Sequence, residues 1–368
     1  MKTISIFNNK GGVGKTTLTY HLAWALSEMG HKTLIFDLDP QCNVTIMSME
    51  EEKIHVIWTK EDPFIDDYKV ARDNMPQGEY DGMFNESRSI HFLLKPAEDG
   101  VESDSLSKPY ALNQNLGIIP GRLTMHLFED KISKIWSDVY RGEPQAIRIA
   151  TKIRSLALKY AEQYDYEFVI MDTSPSLGAL NKVVISTTDY FMIPAMPDLF
   201  SLYGIRNIGG ALKEWKKEFD MIMHFLSEEK RSAFPNSFLK LLGYTIYNAK
   251  KYTSNTNNDW NLAGAHFHYA PEIPKTIEEY IEADIWNKIP VEILEKPIGD
   301  TSVMHTHNTL PNMAQKYHVP IWRVPDVEGI ESSDANTIRG NRGYYEETKE
   351  KYAEFTRDLL SRIHIIEE

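Results

Sequence analysis

Residues 8–17 read NNKGGVGKTT. An apolar stretch, residues 3–8 (TISIFN), runs straight into them and predicts a short buried strand. Residues 16–29 follow, with Leu18, Leu22, Ala25 and Leu26 recurring on one helical face and Gly30 placed as a stop. Residues 33–38 (TLIFDL) predict a second strand. Strand, glycine-rich loop, helix, strand is the opening of a parallel α/β sheet with right-handed crossovers. Between a strand and a helix N-terminus, successive backbone N–H groups form an anion cradle. Gly11, Gly12 and Gly14 let that backbone approach a phosphate without a Cβ in the way. Lys15 is placed to reach β- and γ-phosphates, and the Thr16 hydroxyl to hold Mg²⁺.

The loop departs from the common phosphate-loop pattern, which is Gly, four residues, then Gly-Lys-Ser/Thr. Asn9 stands where the first Gly belongs, and an additional lysine, Lys10, follows it. Either the loop is damaged, or it is a different loop that needs a second lysine.

The rest of the chain extends the same architecture. Residues 116–120 (LGIIP), 167–172 (EFVIMD), 190–194 (YFMIP) and 241–247 (LLGYTIY) predict further strands, and residues 145–163 a helix. Uniformly apolar short strands between helices indicate a parallel sheet covered on both faces. The expected fold is therefore α/β: a doubly wound, mostly parallel central sheet with helices on both faces, with insertions in the C-terminal half. We expect a single domain over residues 1–368, with a helix-and-loop insertion at 50–115. Residues 216–340 form a decorated region, irregular over 275–340, and a C-terminal helix covers 343–366. Residues 250–264 (KKYTSNTNNDWNLAG) predict a polar, mobile loop.

Bulk properties exclude several classes. No apolar run approaches the roughly 20 residues of a membrane-spanning helix. The chain opens on a core strand, so no signal peptide is expected. One cysteine in 368 residues rules out an internal disulfide and fits a reducing cytoplasm. The net charge of −13 argues against a basic coat and leaves room for a local basic patch.

Three carboxylates complete the candidate chemistry. Asp37 and Asp39 end the second strand in DLDPQ, and Asp172 ends the apolar run FVIM. Carboxyl ends of parallel strands are where ligands bind in open sheets. A carboxylate there can order a water or hold the water shell of a metal ion.

In order, KGGVGKTT, DLDPQ-N, DTSPSLG after a strand, and MPDLFSLYGI (196–205) resemble the ParA/MinD family of deviant Walker-A ATPases, with the ParA/Soj-like partition proteins nearest in character. The resemblance covers residues 1 to about 248. It returns weakly near residues 289–290, 312–322 and 340–353. It implies that the loop is intact and that Lys10 reaches across a dimer interface to the partner's ATP. Lys10, Gly11, Gly12, Val13, Gly14, Lys15, Thr16 and Thr17 would then contact the nucleotide, with Asn248 as a plausible adenine reader. Lys10, Lys15 and Asp39 would be catalytic, Asp39 ordering the attacking water. Thr16, Asp37, Asp39 and Asp172 would serve the Mg²⁺ site. The chain has Ser174-Pro175 where the family often has Pro-Pro, a change that bears on rate.

The resemblance also implies function: a cytoplasmic, nucleoid-associated ATPase that dimerises on ATP, binds DNA non-specifically and answers to a ParB-like activator or cargo adaptor. Candidate DNA contacts are Arg206, Lys213, Lys216, Lys217, Lys250, Lys251, Arg339 and Arg342. Alternatives remain. A MinD-like protein would act through a membrane or protein partner, but the C-terminal helix carries Glu346, Glu347, Glu350, Glu354 and Asp358, which anionic lipid would repel. An ATP-bound scaffold and a carboxylate-activating ligase are the others; the ligase class would not be expected to carry Lys10. Iron–sulfur and metal-carrier relatives need thiolates that one cysteine cannot supply.

Overall fold

The apolar runs form the strands of one sheet. The computed structural model describes residues 1–103, 105–247, 249–250, 260–305, 307 and 309–368. Its strands are β1 (Lys2–Ile6), β2 (Thr33–Asp37), β3 (Tyr110–Asn113), β4 (Leu116–Ile119), β5 (Phe168–Asp172), β6 (Tyr190–Ala195) and β7 (Lys240–Ile246), in the spatial order β3-β4-β2-β5-β1-β6-β7. Every pairing is parallel except β3 with β4. The fold is the doubly wound α/β sheet that the sequence predicts.

Alternation along the strands divides the core into two layers. Ile35 and Ile170 belong to one apolar cluster, and Leu34, Phe36, Val169 and Met171 to the other. The first layer takes α1 (Lys15–Glu28) and much of the C-terminal half. The second takes α8 (Pro144–Tyr164) together with a helical lobe. That lobe is α3 (Glu51–Asp66), α4 (Tyr68–Asn74), α5 (Gln77–Met83) and α6 (Ile90–Glu98), reached from β2 through α2 (Asn43–Ser48). Phe64, Tyr68, Tyr80 and Phe92 give it an aromatic centre.

Several elements lie outside the sequence expectation, among them β3, a half-exposed edge strand, α7 (Met125–Tyr140), and the helices Ala179–Thr187 and Leu199–Phe225. Residues 275–340 are also more regular than expected. Short helices occupy Glu272–Tyr280, Ala283–Trp286, Val291–Leu294, Leu310–Lys316 and Ser332–Gly340. Most are too short to be stable alone and are held by packing. The C-terminal helix, Arg342–Glu367, buries Tyr345, Tyr352, Phe355, Leu359, Ile363 and Ile366.

The register positions the chemistry. Asp172 on β5 lies beside Ile6 on β1 and Asp37 on β2. The loop after β1 and both strand-ending carboxylates therefore meet at one edge of the sheet. The helix α9 (Ala179–Thr187) follows β5 and α10 (Leu199–Phe225) follows β6, so both start from that edge.

Candidate nucleotide site

The loop after β1 depends on glycine at defined points. Gly12 and Gly14 have φ of +77° and +82°, in the left-handed region. Gly14 is also the N-cap of α1, and a Cβ there would fall 2.1 Å from the Tyr247 ring. No side chain caps α1, so its first N–H groups face the loop without a protein partner from a capping residue. Lys15 is buried, and its Nζ donates to the Lys10 carbonyl at 3.3 Å. Burial lowers its pKa, while Asp172 and Asp39 pull the other way.

Asp172 is fully buried and accepts hydrogen bonds from Thr16 Oγ1 (2.9 Å) and Thr19 Oγ1 (3.2 Å). Burial pushes its carboxyl up to about 7, against the pull of the Thr16 hydrogen bond. Asp37 is fully buried too, and burial, then the Asp172 charge, raise its pKa well above the usual carboxylate range. Asp39 is nearly buried; its Oδ1 accepts from the Gln41 N–H at 2.9 Å. One buried lysine thus acts on two carboxylates, Asp172 and Asp39, with the buried Asp37 charge beside Asp172, an arrangement that favours an added cation.

The donor set suits Mg²⁺. It is all oxygen, and it includes a threonine hydroxyl beside a strand-ending carboxylate. Among the described residues no three His, Cys, Asp or Glu side chains converge as a ligand cage. Mg²⁺ in phosphate sites takes few protein ligands, the rest being phosphate and water, so this is the expected character. Two orphaned buried oxygens in the adjoining segments, Asn9 Oδ1 and Thr173 Oγ1, await partners.

Lys10 turns back onto its own chain. Its Nζ pairs with Asp198 and lies 3.4 Å from Ser201 Oγ. Asp198 is the N-cap of α10, accepting from the Ser201 N–H at 2.8 Å. Burial alone would raise the Asp198 pKa; the Lys10 and Ser201 hydrogen bonds hold it below the usual value. Lys10, Gly11, Gly12, Val13, Gly14, Lys15, Thr16, Thr17, Asp37, Asp39 and Asp172 therefore share one edge. Asn248 and Lys251 lie outside the described residues.

Sequence reasoning passed over three residues. Asp198 sat inside MPDLFSLYGI, where a carboxylate before a helix reads as an ordinary cap. Asn181 clamps the segment after Asp172, its Nδ2 donating to the carbonyls of Ser174 (2.8 Å) and Ser176 (2.7 Å). It thereby fixes the Ser174-Pro175 turn. Thr45, eight residues after Asp37, donates to it from both N–H and hydroxyl; its place in DLDPQCNVT was the available signal.

A phosphate loop after an interior strand of such a sheet, with carboxylates ending the next two strands, β5 and β2, defines a P-loop ATPase class. The AAA_31 family model, an AAA domain, matches residues 1–225. The chain belongs to this family and is a ParA/MinD-like P-loop ATPase by relationship. It is 26% identical over 263 residues to the virulence plasmid ParA family protein pGP5-D of Chlamydia psittaci, covering 70% of this chain and 82% of that one. In fold it is similar to an McdA variant from Cyanothece in complex with ATP (TM-score 0.56, 16% identity, 98% of this chain and 96% of that one). It is also similar to pNOB8 ParA bound to nonspecific DNA (TM-score 0.50, 17% identity, 99% and 98%). Among the described residues no helix is long and apolar enough to cross a membrane.

Proposed function

We propose that this protein is an ATP-dependent dimerisation switch that hydrolyses ATP and partitions or positions a cargo, DNA foremost. The observation that carries the reading is the convergence of Thr16, Asp172 and Lys15 beneath an uncapped helix N-terminus. Backbone N–H groups of residues 11–16 would receive the phosphates, and Lys15 would neutralise them. Mg²⁺, when bound, would polarise the β- and γ-phosphate oxygens; Thr16 would hold it, and Asp37, Asp39 and Asp172 would orient its water shell. Asp39 would order the attacking water. Lys10 would leave Asp198 and complete the partner's site. Asp198 then loses its cation, so closure must supply more attraction than it breaks, and ATP must favour the closed state to shift the equilibrium.

Two observations favour a protein cargo adaptor as a second reading. Several DNA-contact candidates are already engaged: Lys216 with Asp220 and Asp284, Lys217 with Glu214, Arg342 with Glu346, and Arg206 over the Tyr280 ring. The net charge of −13 points the same way. The deciding experiment uses Asp39→Ala, which should form a persistent ATP-bound dimer. DNA binding is measured with ATP–Mg²⁺ and with ADP across a salt series. Binding that needs ATP and falls steeply with salt supports the DNA reading. A dimer indifferent to DNA supports the adaptor. Normal turnover by Asp39→Ala would remove Asp39 from its role.

A further inference from the structure

Asp37 is held by a hydrogen-bond chain that leads out of the site. Its Oδ2 accepts the Thr45 N–H at 3.0 Å and the Thr45 hydroxyl at 2.5 Å. Thr45 Oγ1 in turn accepts the Gly121 N–H at 2.7 Å. A backbone N–H can only donate, so the one hydroxyl proton of Thr45 is committed to Asp37. The chain has a fixed direction: Gly121 to Thr45 to Asp37. Asp37 Oδ1 is left with a single long contact, the Asp39 N–H at 3.3 Å, and keeps its acceptor capacity. Gly121 has no freedom to change, because a Cβ there would lie 2.8 Å from the Asp37 carboxyl and 3.1 Å from Cys42 Sγ.

The other side of the same residue faces the helical lobe. The Gly121 carbonyl accepts from Trp58 Nε1 at 3.0 Å. The neighbouring Arg122 donates to the Trp58 carbonyl (2.9 Å) and to Glu61 (3.2 Å), and pairs with Asp62. Glu61 is fully buried and also accepts from Ser89 N–H and Oγ, at 2.7 and 2.5 Å. The Pro120 carbonyl accepts from Ile90 N–H at 2.8 Å, and His91 Nδ1 lies 2.6 Å from Thr124 Oγ1. Residues 120–124 are thus gripped by α3 and α6. A buried ion pair of this kind contributes little net stability for its burial, but it fixes geometry.

We propose that Thr45 is a positioning residue for Asp37, and that the helical lobe sets the orientation of Asp37 through the Trp58–Gly121–Thr45 chain. The inference rests on the reading of Asp37 as a group that serves the metal–nucleotide site. Groups that orient such residues typically change metal affinity or activity by about 10–100-fold when removed.

The test uses Thr45→Val, Thr45→Ser and Trp58→Phe in the full chain. Affinity for ATPγS is measured by calorimetry with and without Mg²⁺, and ATP turnover is measured alongside. Thr45→Val should lose about tenfold of the Mg²⁺-dependent gain in affinity, with Mg²⁺-free affinity unchanged. Its kcat should fall by a similar factor at nearly constant KM. Thr45→Ser, which keeps the hydroxyl, should restore both. Trp58→Phe, which changes no residue assigned to the nucleotide or metal, should reproduce the direction of Thr45→Val at about two- to fivefold. If Thr45→Val keeps the full Mg²⁺ gain, or Thr45→Ser is as impaired as Thr45→Val, Thr45 does not position Asp37. A wild-type response from Trp58→Phe overturns the role of the lobe. A wild-type chain with no Mg²⁺-dependent gain at all overturns the metal-site reading together with the inference, which separates the two failures.

Discussion

Asp172 is wholly buried, yet the role proposed for it needs its charge. An unfolded aspartate titrates near 3.8, and burial moves the folded group to about 7. Between about pH 4 and 7 the unfolded chain therefore releases this proton first, and the folded chain binds more protons. Stability of the nucleotide-free protein falls as pH rises through that window, and the penalty is fully present above it. Asp172→Asn should then be more stable than the wild type at about pH 7.5, by up to about 4 kcal/mol, with the difference vanishing near pH 4. Urea unfolding at both pH values checks this; a variant less stable at both would mean that the Thr16 and Thr19 hydrogen bonds outweigh the buried charge. The residues of the loop were legible because Gly, Lys and Thr each answer a separate demand of phosphate binding. Asp198 and Thr45 were not, since a capping aspartate and a helical threonine have ordinary local reasons to exist, and only the folded chain brings them to Lys10 and Asp37.

At the scale of elements, the phosphate loop is joined to the C-terminal helix by a pile of aromatic rings. Tyr247, just past β7, covers Gly14. Its hydroxyl lies 3.2 Å from that of Tyr352, which stacks on His21 of α1 at 5.0 Å between centroids. His307 stacks on the same tyrosine at 5.9 Å. His21 is neutral: burial takes its pKa down to about 3. Its Nε2 accepts from the Ile321 N–H, so the proton is on Nδ1 and is donated to the Thr17 carbonyl. Tyr352→Ala should destabilise the protein by about 3–5 kcal/mol through the cavity it leaves. Tyr352→Phe should cost about 1 kcal/mol through one lost hydrogen bond. Denaturant titrations of the two variants read both values, and a Tyr352→Ala loss below that of Tyr352→Phe would mean the pile collapses without strain. Elements such as β5 were legible because a strand buried on both faces is apolar at every position. The edge strand β3 alternates weakly and was not. The short helices between 264 and 340 carry no 3.6-residue period long enough to read, and their conformation comes from what they pack against.

At the scale of the whole molecule, charge and apolar surface are both unevenly spread. Residues 50–115 hold 15 acidic and 7 basic side chains, so the insertion that contains the helical lobe carries −8 of the net −13. DNA would be repelled there, and any DNA-binding face must lie elsewhere. The carboxyl edge of the sheet has the opposite character. Leu123 and Leu127 after β4, Leu177 after β5, and Leu199, Phe200 and Tyr203 after β6 are large, apolar and exposed, with Phe200 at 73%. They share this edge with Lys10 and Asp198. Leu199, Phe200 and Tyr203 follow directly on Asp198, the partner of Lys10, and are the part of this edge that a dimer using Lys10 would cover; exposed apolar patches mark interaction sites. An aromatic anchor at such a seam typically contributes about 2–4 kcal/mol. Phe200→Ser should therefore weaken ATPγS-dependent dimerisation by about 30- to 1,000-fold, measured by light scattering across concentration, while ATPγS affinity of the monomer stays within about twofold. Dimerisation at wild-type strength would place the seam on another face and leave Lys10 paired with Asp198 in both states. Loss of nucleotide binding as well would mean that Phe200 supports the loop from within its own chain, through the Asp198 cap, before it meets any partner.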